Sequence, residues 1–335
     1  MKSLILSLLR LIYHQMIPLK IRGFFWNIRI HELKTSYGNE NADQTFYIIG
    51  RNFNAKGGLF HIVYGATLHI HYALSKGYVP VIDLQNNHTQ YLDFMPLGKE
   101  NAWEYYFEQP CGIGLEHIKR SKNIIVCAHH YAPAGYYAYS TISNLNNKYF
   151  KSDIFVAIKN TFNRHIQLKA ETLCFLDANY EKIAKGKRIC GVLARGTDYT
   201  IIKPKNHPVQ PAVLQLIEKI KNVMYDYACD FVYLATEDEE IFEKLKIEFG
   251  DQLLTNEQQR FRLNNELEDE EQYLSNFRTG LEREKYRMGL DYLCSIYILS
   301  KAQCFVGGMN NGTIGVMLMT QGFEYEYVFD LGYYK

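Results

Sequence analysis

The chain has 335 residues, of which 47% are hydrophobic and 22% are charged, as is normal for a soluble globular protein. Its formal net charge of +1 argues against a nucleic-acid-binding protein, because such proteins usually carry a strongly basic surface. The seven cysteines form no CxxC motif, so we expect reduced thiols in a cytoplasmic protein rather than a disulfide framework.

The N-terminal segment 1–40 begins with an apolar stretch that is interrupted by Lys2, Arg10, Lys20 and Arg22. No uninterrupted apolar run reaches the roughly 20 residues that a membrane-spanning helix needs. No small-residue cleavage site follows it, as a signal peptide would require. Two interpretations stay open: a basic amphipathic helix at a membrane surface, or a helix packed on the body of the protein.

Short β-rich runs alternate with helical stretches along the rest of the chain. In chain order, the first half predicts strand 44–51, helix 59–77, strands 79–84 and 123–130, and one helical region over about 153–184. The second half predicts strand 188–194, helix 211–228, strand 231–236, helix 239–250, strand 252–256, helix 284–302, strand 304–308, helix 313–322 and strand 325–332.

This alternation indicates the α/β class with parallel sheets. We predict two Rossmann-like domains that face each other across a cleft. Their boundary is expected near 185–188, where a long helix ends and a new strand begins. The charged stretch 256–285 shows no strand pattern and is interpreted as a solvated loop and helix face.

Three strand ends in the second half carry polar residues that a plain connection to a helix does not need. These residues are Arg195, Asp198 and Tyr199 after the first strand, Thr236, Glu237 and Asp238 after the second, and Asn310, Asn311, Gly312 and Thr313 after the third. The carboxyl ends of parallel strands lie at one edge of a sheet, so we expect these residues to converge on one cleft.

The residue types at this edge predict a diphosphate site. Arg195 offers a planar fork of donors that suits phosphate oxygens. A helix beginning near Thr313 offers free backbone N–H groups and the positive end of its dipole. Such a site would stabilise the charge that develops on a departing diphosphate. The structural alternative is that Asp and Asn cap helices and that Arg195 forms an ion pair with Asp198.

Other chemical signals are weaker. The acidic run Glu237–Glu240 could bind a metal, although acidic residues are also favoured in the first turn of a helix. His61, His69 and His71 are not spaced as a zinc-binding helix requires, and we predict no metal site. The chain lacks GxSxG, GxxxxGK[ST] and an early GxGxxG, which argues against hydrolases, P-loop NTPases and dehydrogenases.

Several motifs resemble the fucosyltransferase superfamily, which includes α1,2-, α1,6-, nodulation and protein O-fucosyltransferases. ARGTDY (194–199), the spacing from Asp198 to His207-Pro208, and FVYLATEDEE (231–240) are similar to its donor-binding half. LSKAQCFVGGMNNGTIGVMLM (299–319) is similar to its last motif. The stretch 54–84 is similar to its opening glycine-rich loop, helix and strand.

The resemblance implies a GT-B fold, a GDP-fucose co-substrate, inversion at the anomeric carbon, and neither cofactor nor metal. Segment 41–185 would form the acceptor-side domain and segment 186–335 the donor-binding domain. Arg195 would bind the β-phosphate and assist its departure. Asp198 would hold the loop or the donor, and His207 would line the guanosine side of the site. The other donor-binding residues would be Gly57, Gly58, Tyr199, Thr236, Glu237, Asp238, Asn310, Asn311, Gly312 and Thr313. On the acceptor side we expect His61, Asp83 and His129, and the general base would be Asp198, Asp83 or His61.

The chain also departs from the family pattern. Leu193 stands where a His is common, Gly196 where a second Arg is common, and Lys203 where the α1,6 enzymes carry a Glu. Despite these departures, the resemblance leads us to expect fucose transfer to a hydroxyl of a growing surface glycan, in the cytoplasm or at the inner face of a membrane. The alternatives are another GDP-sugar as donor, or a non-catalytic module that binds nucleotide sugars or glycans.

Overall fold

The computed structural model describes residues 32–50, 57–87, 89–91, 98–128, 133, 136, 142, 145–196, 203–262 and 283–335. Three of the predicted site residues, His129, Asp198 and Tyr199, lie outside the described residues, as does segment 1–31. None of the helices in the described ranges is both long and apolar enough to cross a membrane. All seven cysteines are free thiols, and five of them are buried.

The first sheet has four strands, β1 (Leu33–Thr35), β2 (Glu40–Ile49), β3 (Val79–Ile82) and β4 (Ser121–Val126), in the order β1-β4-β2-β3. β2 pairs in parallel with β3 and β4. β1, which the sequence did not predict, adds an antiparallel edge strand to β4. Because β1 is short and largely exposed, it lacks the apolar alternation by which strands are recognised.

Helix α1 (Leu59–Ser75) covers one face of this sheet and is buried over most of its length. Alternate residues of β2 point to opposite faces: Tyr47 and Ile49 join the cluster that contains α1, whereas Phe46 and Ile48 pack with Ile118 on the other face. Ile118 ends the short helix α2 (Leu115–Ile118), so α1 and α2 lie on opposite faces of the sheet.

The helical region predicted over 153–184 is present, but it consists of two helices, α3 (Asp153–His165) and α4 (Ala170–Ile183), and not of one long helix. The intervening residues pair with an irregular segment of the first half: Glu108 N donates to Gln167 O, and Lys169 N donates to Tyr106 O. These tertiary hydrogen bonds replace the ones that a continuous helix would make.

The second sheet confirms the predicted parallel arrangement. Its strands are β5 (Ile189–Leu193), β6 (Phe231–Ala235), β7 (Leu253–Leu254), β8 (Cys304–Gly308) and β9 (Tyr325–Phe329), in the order β7-β6-β5-β8-β9. All neighbouring strands are parallel. Leu193 lies opposite Ala235 on one side and Gly307 on the other, so the three polar strand ends are aligned at one edge.

Helices cover both faces of this sheet. α5 (Val213–Asp226) and α6 (Glu239–Phe249) pack on one face, and α7 (Glu284–Ser300) and α8 (Asn311–Met319) on the other. In the strand order given above, the chain adds β6 and β7 on one side of β5 and then β8 and β9 on its other side, so the order reverses between β5 and β8. In open α/β sheets, ligands bind beyond the carboxyl ends of the strands at such a point.

One apolar cluster connects the two sheets. It contains Tyr47 of the first sheet, Tyr233 and Phe305 of the second, and residues of α1, α7 and α8 between them. α1 and α8 approach closely, because a Cβ atom on Gly315 of α8 would lie 2.3 Å from the ring of Phe60 in α1. The division into an acceptor-side and a donor-binding domain stays a prediction.

Candidate functional site

Arg195 directly follows β5 at the reversal point of the second sheet. Its Nε atom lies 3.5 Å from Oε1 of Glu237, which follows the neighbouring strand β6. Both side chains are partly exposed, at 28% and 20%. The aligned strand ends thus bring together a guanidinium and a carboxylate that are 42 positions apart in the chain.

Gly196 shows why this chain has no second arginine after Arg195. A Cβ atom at Gly196 would lie 2.2 Å from Oδ2 and 2.6 Å from Cβ of Asp238. No side chain fits there without moving Asp238. The departure from the family pattern is therefore a steric requirement of the local packing.

Asp238 and Thr236 shape the end of β6. Oδ1 of Asp238 accepts a hydrogen bond from Ile241 N at 3.0 Å and so caps α6. The hydroxyl of Thr236, which is 1% exposed, accepts from Asp238 N at 3.2 Å. Glu239 and Glu240 lie in the first turn of α6. Within the described ranges, no group of three His, Cys, Asp or Glu side chains is arranged to hold a metal ion.

The N-terminus of α8 follows β8 at the same edge. Asn310 is the N-cap residue, and its Oδ1 accepts from Thr313 N at 3.0 Å. Thr313 Oγ1 donates to Gly308 O at 2.5 Å. Both side chains are buried and fix the turn. The cap bonds to the N–H group of Thr313 and not to the first two N–H groups of the helix, those of Asn311 and Gly312.

Gly312 allows α8 to begin directly against β5 and α7. A Cβ atom there would lie 2.5 Å from the hydroxyl of Tyr292 in α7 and 2.9 Å from Cδ2 of Leu193 in β5. Arg195, two residues after Leu193, and the start of α8 are therefore neighbours. This glycine serves close packing of the helix end.

The N-terminus of α1 brings the first half of the chain to the site. Gly58 is its N-cap and provides no capping side chain. Leu59 N donates to the hydroxyl of Tyr91 at 2.7 Å, and Gln90 Nε2 donates to Gly57 O at 2.9 Å. A Cβ atom at Gly58 would meet no atom of the described residues within 4 Å, so these residues leave open space beside this helix end.

Contacts across the two halves bring these parts together. The ring of Phe60, in the first turn of α1, packs edge-on against Tyr292 with 6.0 Å between centroids, and it also contacts Gly315 of α8. Burial raises the pKa of Tyr91 to about 12, although hydrogen bonds from Leu59 and Gln90 and the charge of Arg195 lower it. Arg195 and the first turns of α1 and α8 thus lie near one another, and a guanidinium and a helix N-terminus each favour an anion.

His207 lies on the β8–β9 side of the same sheet edge. Its loop pairs with the last residues of the chain: Tyr334 N donates to His207 O, and Val209 N donates to Gly332 O, both at 2.9 Å. Gln210, which follows, donates to Met309 O at 3.1 Å beside the start of α8. The His-Pro loop therefore lies close to the start of α8.

The acceptor-side candidates differ in their surroundings. Asp83 is 8% exposed, and its carboxylate accepts hydrogen bonds from Gln85 N, Asn86 N and Asn86 Nδ2, which favours a structural role in the turn after β3. His61 is partly exposed in the first turn of α1, and burial lowers its pKa. A neutral imidazole is the form that a general base requires.

Sequence reasoning missed Tyr91, Gln90 and Tyr292. Tyr91 and Gln90 lie in an irregular stretch without periodicity, and Tyr292 is one of many aromatic residues in an apolar helix. Their places at the site depend on contacts between distant parts of the chain. No motif or spacing in the sequence could have identified them.

Three solved structures of the fucosyltransferase NodZ have a similar fold. The Bradyrhizobium protein has a TM-score of 0.51 and 15% sequence identity, over 86% of this chain and 95% of NodZ. The α-1,6-fucosyltransferase NodZ co-crystallised with GDP has a TM-score of 0.51 and 15% identity, over 83% and 93% of the two chains. The structure of NodZ α-1,6-fucosyltransferase soaked with GDP-fucose has a TM-score of 0.50 and 16% identity, again over 83% of this chain and 93% of NodZ.

The chain has the NodZ fold. This likeness confirms the α/β class with parallel sheets and, at the level of fold, the resemblance to fucosyltransferases that the motifs predicted. No protein-family model matches the chain, and no curated protein matches it in sequence.

Proposed function

We propose that the protein is an inverting glycosyltransferase that transfers fucose from GDP-fucose to a hydroxyl of a surface glycan. The observation that carries this proposal is the convergence of Arg195 with the N-terminal turns of α1 and α8. A guanidinium and two helix N-termini match the charge and the several oxygens of a diphosphate.

The donor is proposed from the fold and from the motifs together. NodZ structures with this fold were obtained with GDP and with GDP-fucose. The His207-Pro208 loop lies close to the start of α8, and by the family pattern both would contact the donor. Another GDP-sugar is the alternative within the same enzyme class.

The chemistry follows from the charges at the site. The acceptor oxygen attacks the anomeric carbon as the bond from that carbon to the β-phosphate oxygen breaks, and negative charge develops on the leaving GDP. Arg195 and the N–H groups of Asn311 and Gly312 would stabilise that charge, so we propose that no metal ion is needed. His61 or Asp198 would accept the proton of the acceptor hydroxyl. The contacts of Asp83 make it the weaker candidate.

We further infer a GT-B arrangement, with segment 41–185 on the acceptor side and segment 186–335 on the donor side. The two separate sheets, which are parallel apart from the edge strand β1, support it, and so does the likeness of fold to NodZ over 83% or more of the chain. Peripheral contact with the inner face of a membrane through the basic N-terminal segment remains part of the same proposal.

Arg195→Lys tests the proposed chemistry. Lysine keeps the charge but loses the planar fork, so we expect the turnover number for GDP release from GDP-fucose to fall about 100-fold to 1000-fold. Melting temperature should change little, because the side chain is partly exposed. GDP release by a coupled assay, GDP affinity by calorimetry and melting temperature are measured on each variant.

Arg188→Lys is the matched control. Arg188 precedes the same strand at its opposite end and pairs with Glu324 at the surface, so turnover should be unchanged. Normal turnover in a folded Arg195→Lys protein would refute the role of Arg195. Wild-type protein that binds GDP but releases none from any GDP-sugar would be a non-catalytic binding module, and wild-type protein that does not bind GDP would overturn the proposal.

A further inference from the structure

The hydroxyl of Tyr91 has an unusual hydrogen-bond pattern. Its oxygen accepts from Leu59 N at 2.7 Å and from Gln90 Nε2 at 3.0 Å. Both partners are N–H donors and cannot accept in return. No residue in the described part of the chain accepts the hydroxyl hydrogen of Tyr91. The side chain is only 5% exposed, so this donor is buried, and a buried donor without an acceptor destabilises the protein.

The position of this hydroxyl indicates what kind of acceptor would satisfy it. It lies at the N-terminus of α1, beside the open space at Gly58 and close enough to Arg195 for the guanidinium charge to act on it. A helix dipole and a guanidinium favour a negatively charged oxygen at this place. Tyr91 also contacts Gly289 of α7, so it lies between the two halves of the molecule.

We propose that Tyr91 binds the ligand directly, by donating its hydroxyl hydrogen to an oxygen of the bound diphosphate. The inference rests on the proposed function, because it assumes that a nucleoside diphosphate occupies the site. The hydrogen bonds would run in series, from Leu59 N to the Tyr91 oxygen and from the Tyr91 hydroxyl to the phosphoryl oxygen. Each bond in such a chain polarises the next and strengthens it.

The protonation state of Tyr91 agrees with a donor role. Burial raises its pKa to about 12, so the phenol keeps its proton at neutral pH. A phenolate could only accept hydrogen bonds and would repel a diphosphate.

Tyr91→Phe removes the hydroxyl and keeps the ring. Since a hydrogen bond to a charged group is worth about 1.5–3 kcal/mol, we expect the affinity for GDP to fall about 10-fold to 100-fold. The affinity for guanosine, which has no phosphate, should not change. Isothermal titration of both probes against wild-type and variant protein measures this difference, which a purely structural role of Tyr91 would not produce.

Tyr233→Phe is the matched control, because Tyr233 is fully buried and its hydroxyl donates to Asn256 within the protein. It should leave the affinity for GDP unchanged. Unaltered GDP affinity in Tyr91→Phe, or an equal loss for GDP and guanosine, would overturn the role of Tyr91 while the proposed function stands. Wild-type protein that binds no GDP would overturn both.

Discussion

Gly58 has φ −63° and ψ 161°, an extended backbone conformation that alanine adopts as readily as glycine. An added methyl group would meet no atom within 4 Å in the part of the chain that the structure describes. Glycine is favoured over alanine at an N-cap, and among the described residues its lack of a side chain also leaves free space beside the helix end. Such free space is what a site needs when a ligand must approach the helix backbone closely.

Gly58→Ala is therefore expected to separate folding from binding. Melting temperature should change little, since restriction of the unfolded chain by alanine, worth about 0.4–1 kcal/mol, is offset by its weaker preference for the N-cap position. The methyl group would occupy space that the diphosphate needs, and a forced misfit costs about 1–3 kcal/mol, so affinity for GDP should fall about tenfold. Calorimetry and thermal unfolding give the two quantities.

Gly114→Ala provides the control. Gly114 is also an extended N-cap residue, with φ −95° and ψ 179°, and an added Cβ would approach no atom closer than 3.8 Å. It precedes α2, on the face of the sheet opposite to α1. This substitution should leave the affinity for GDP unchanged, and an equal loss in both variants would contradict a ligand beside Gly58.

At the scale of helices and strands, periodicity and glycine placement predicted most elements of the described chain. The predicted helix at 59–77 is α1, and the aligned ends of β5, β6 and β8 are as expected. What the sequence could not show depends on tertiary pairing. Residues 166–169 leave the helical path because they bond to 106–108, and Tyr91 reaches the site because Leu59 is folded against it.

The contact between α1 and α8 gives a prediction at this scale. Gly315→Ala would place a methyl group 2.3 Å from Cδ1 of Phe60, so the helices must separate. We expect a loss of about 1–3 kcal/mol in the free energy of unfolding, and weaker GDP binding because the two helix N-termini move apart. Urea unfolding and calorimetry measure these effects.

A second change tests whether this contact is the cause. Phe60→Leu alone should destabilise the protein. When Phe60→Leu and Gly315→Ala are combined, the loss of stability should be smaller than the sum of the two single losses. Strictly additive losses in the double variant would show that the two residues do not interact.

For the molecule as a whole, the cluster that connects the two sheets has α1 at its centre, and α1 contains a buried histidine. His69 is 1% exposed, and its Nδ1 lies 3.1 Å from the hydroxyl of Tyr47. Burial lowers its pKa from 6.5 to about 3. Between these values the unfolded chain binds a proton that the folded protein excludes, so stability is lost as the pH falls below 6.5.

His69→Gln should reduce this acid sensitivity, although it lowers stability at neutral pH. In the wild type, His69 accounts for a loss of about 1.4 kcal/mol per pH unit below pH 6.5, or about 2 kcal/mol at pH 5. The free energy of unfolding of the variant, measured with urea from pH 7 to pH 5, should therefore fall less steeply with decreasing pH by that amount. The same change at the exposed His117 should keep the wild-type slope, and an unchanged slope in His69→Gln would refute the assignment.

The packing of Gly196 on Asp238 has an evolutionary consequence. Any single substitution that gave position 196 a side chain would displace the carboxylate that caps α6. A lineage with this geometry could gain an arginine at 196 only after residue 238 had first become smaller, and that step would weaken α6. The two positions should therefore change together among descendants of this chain, and its use of a single arginine should be inherited stably.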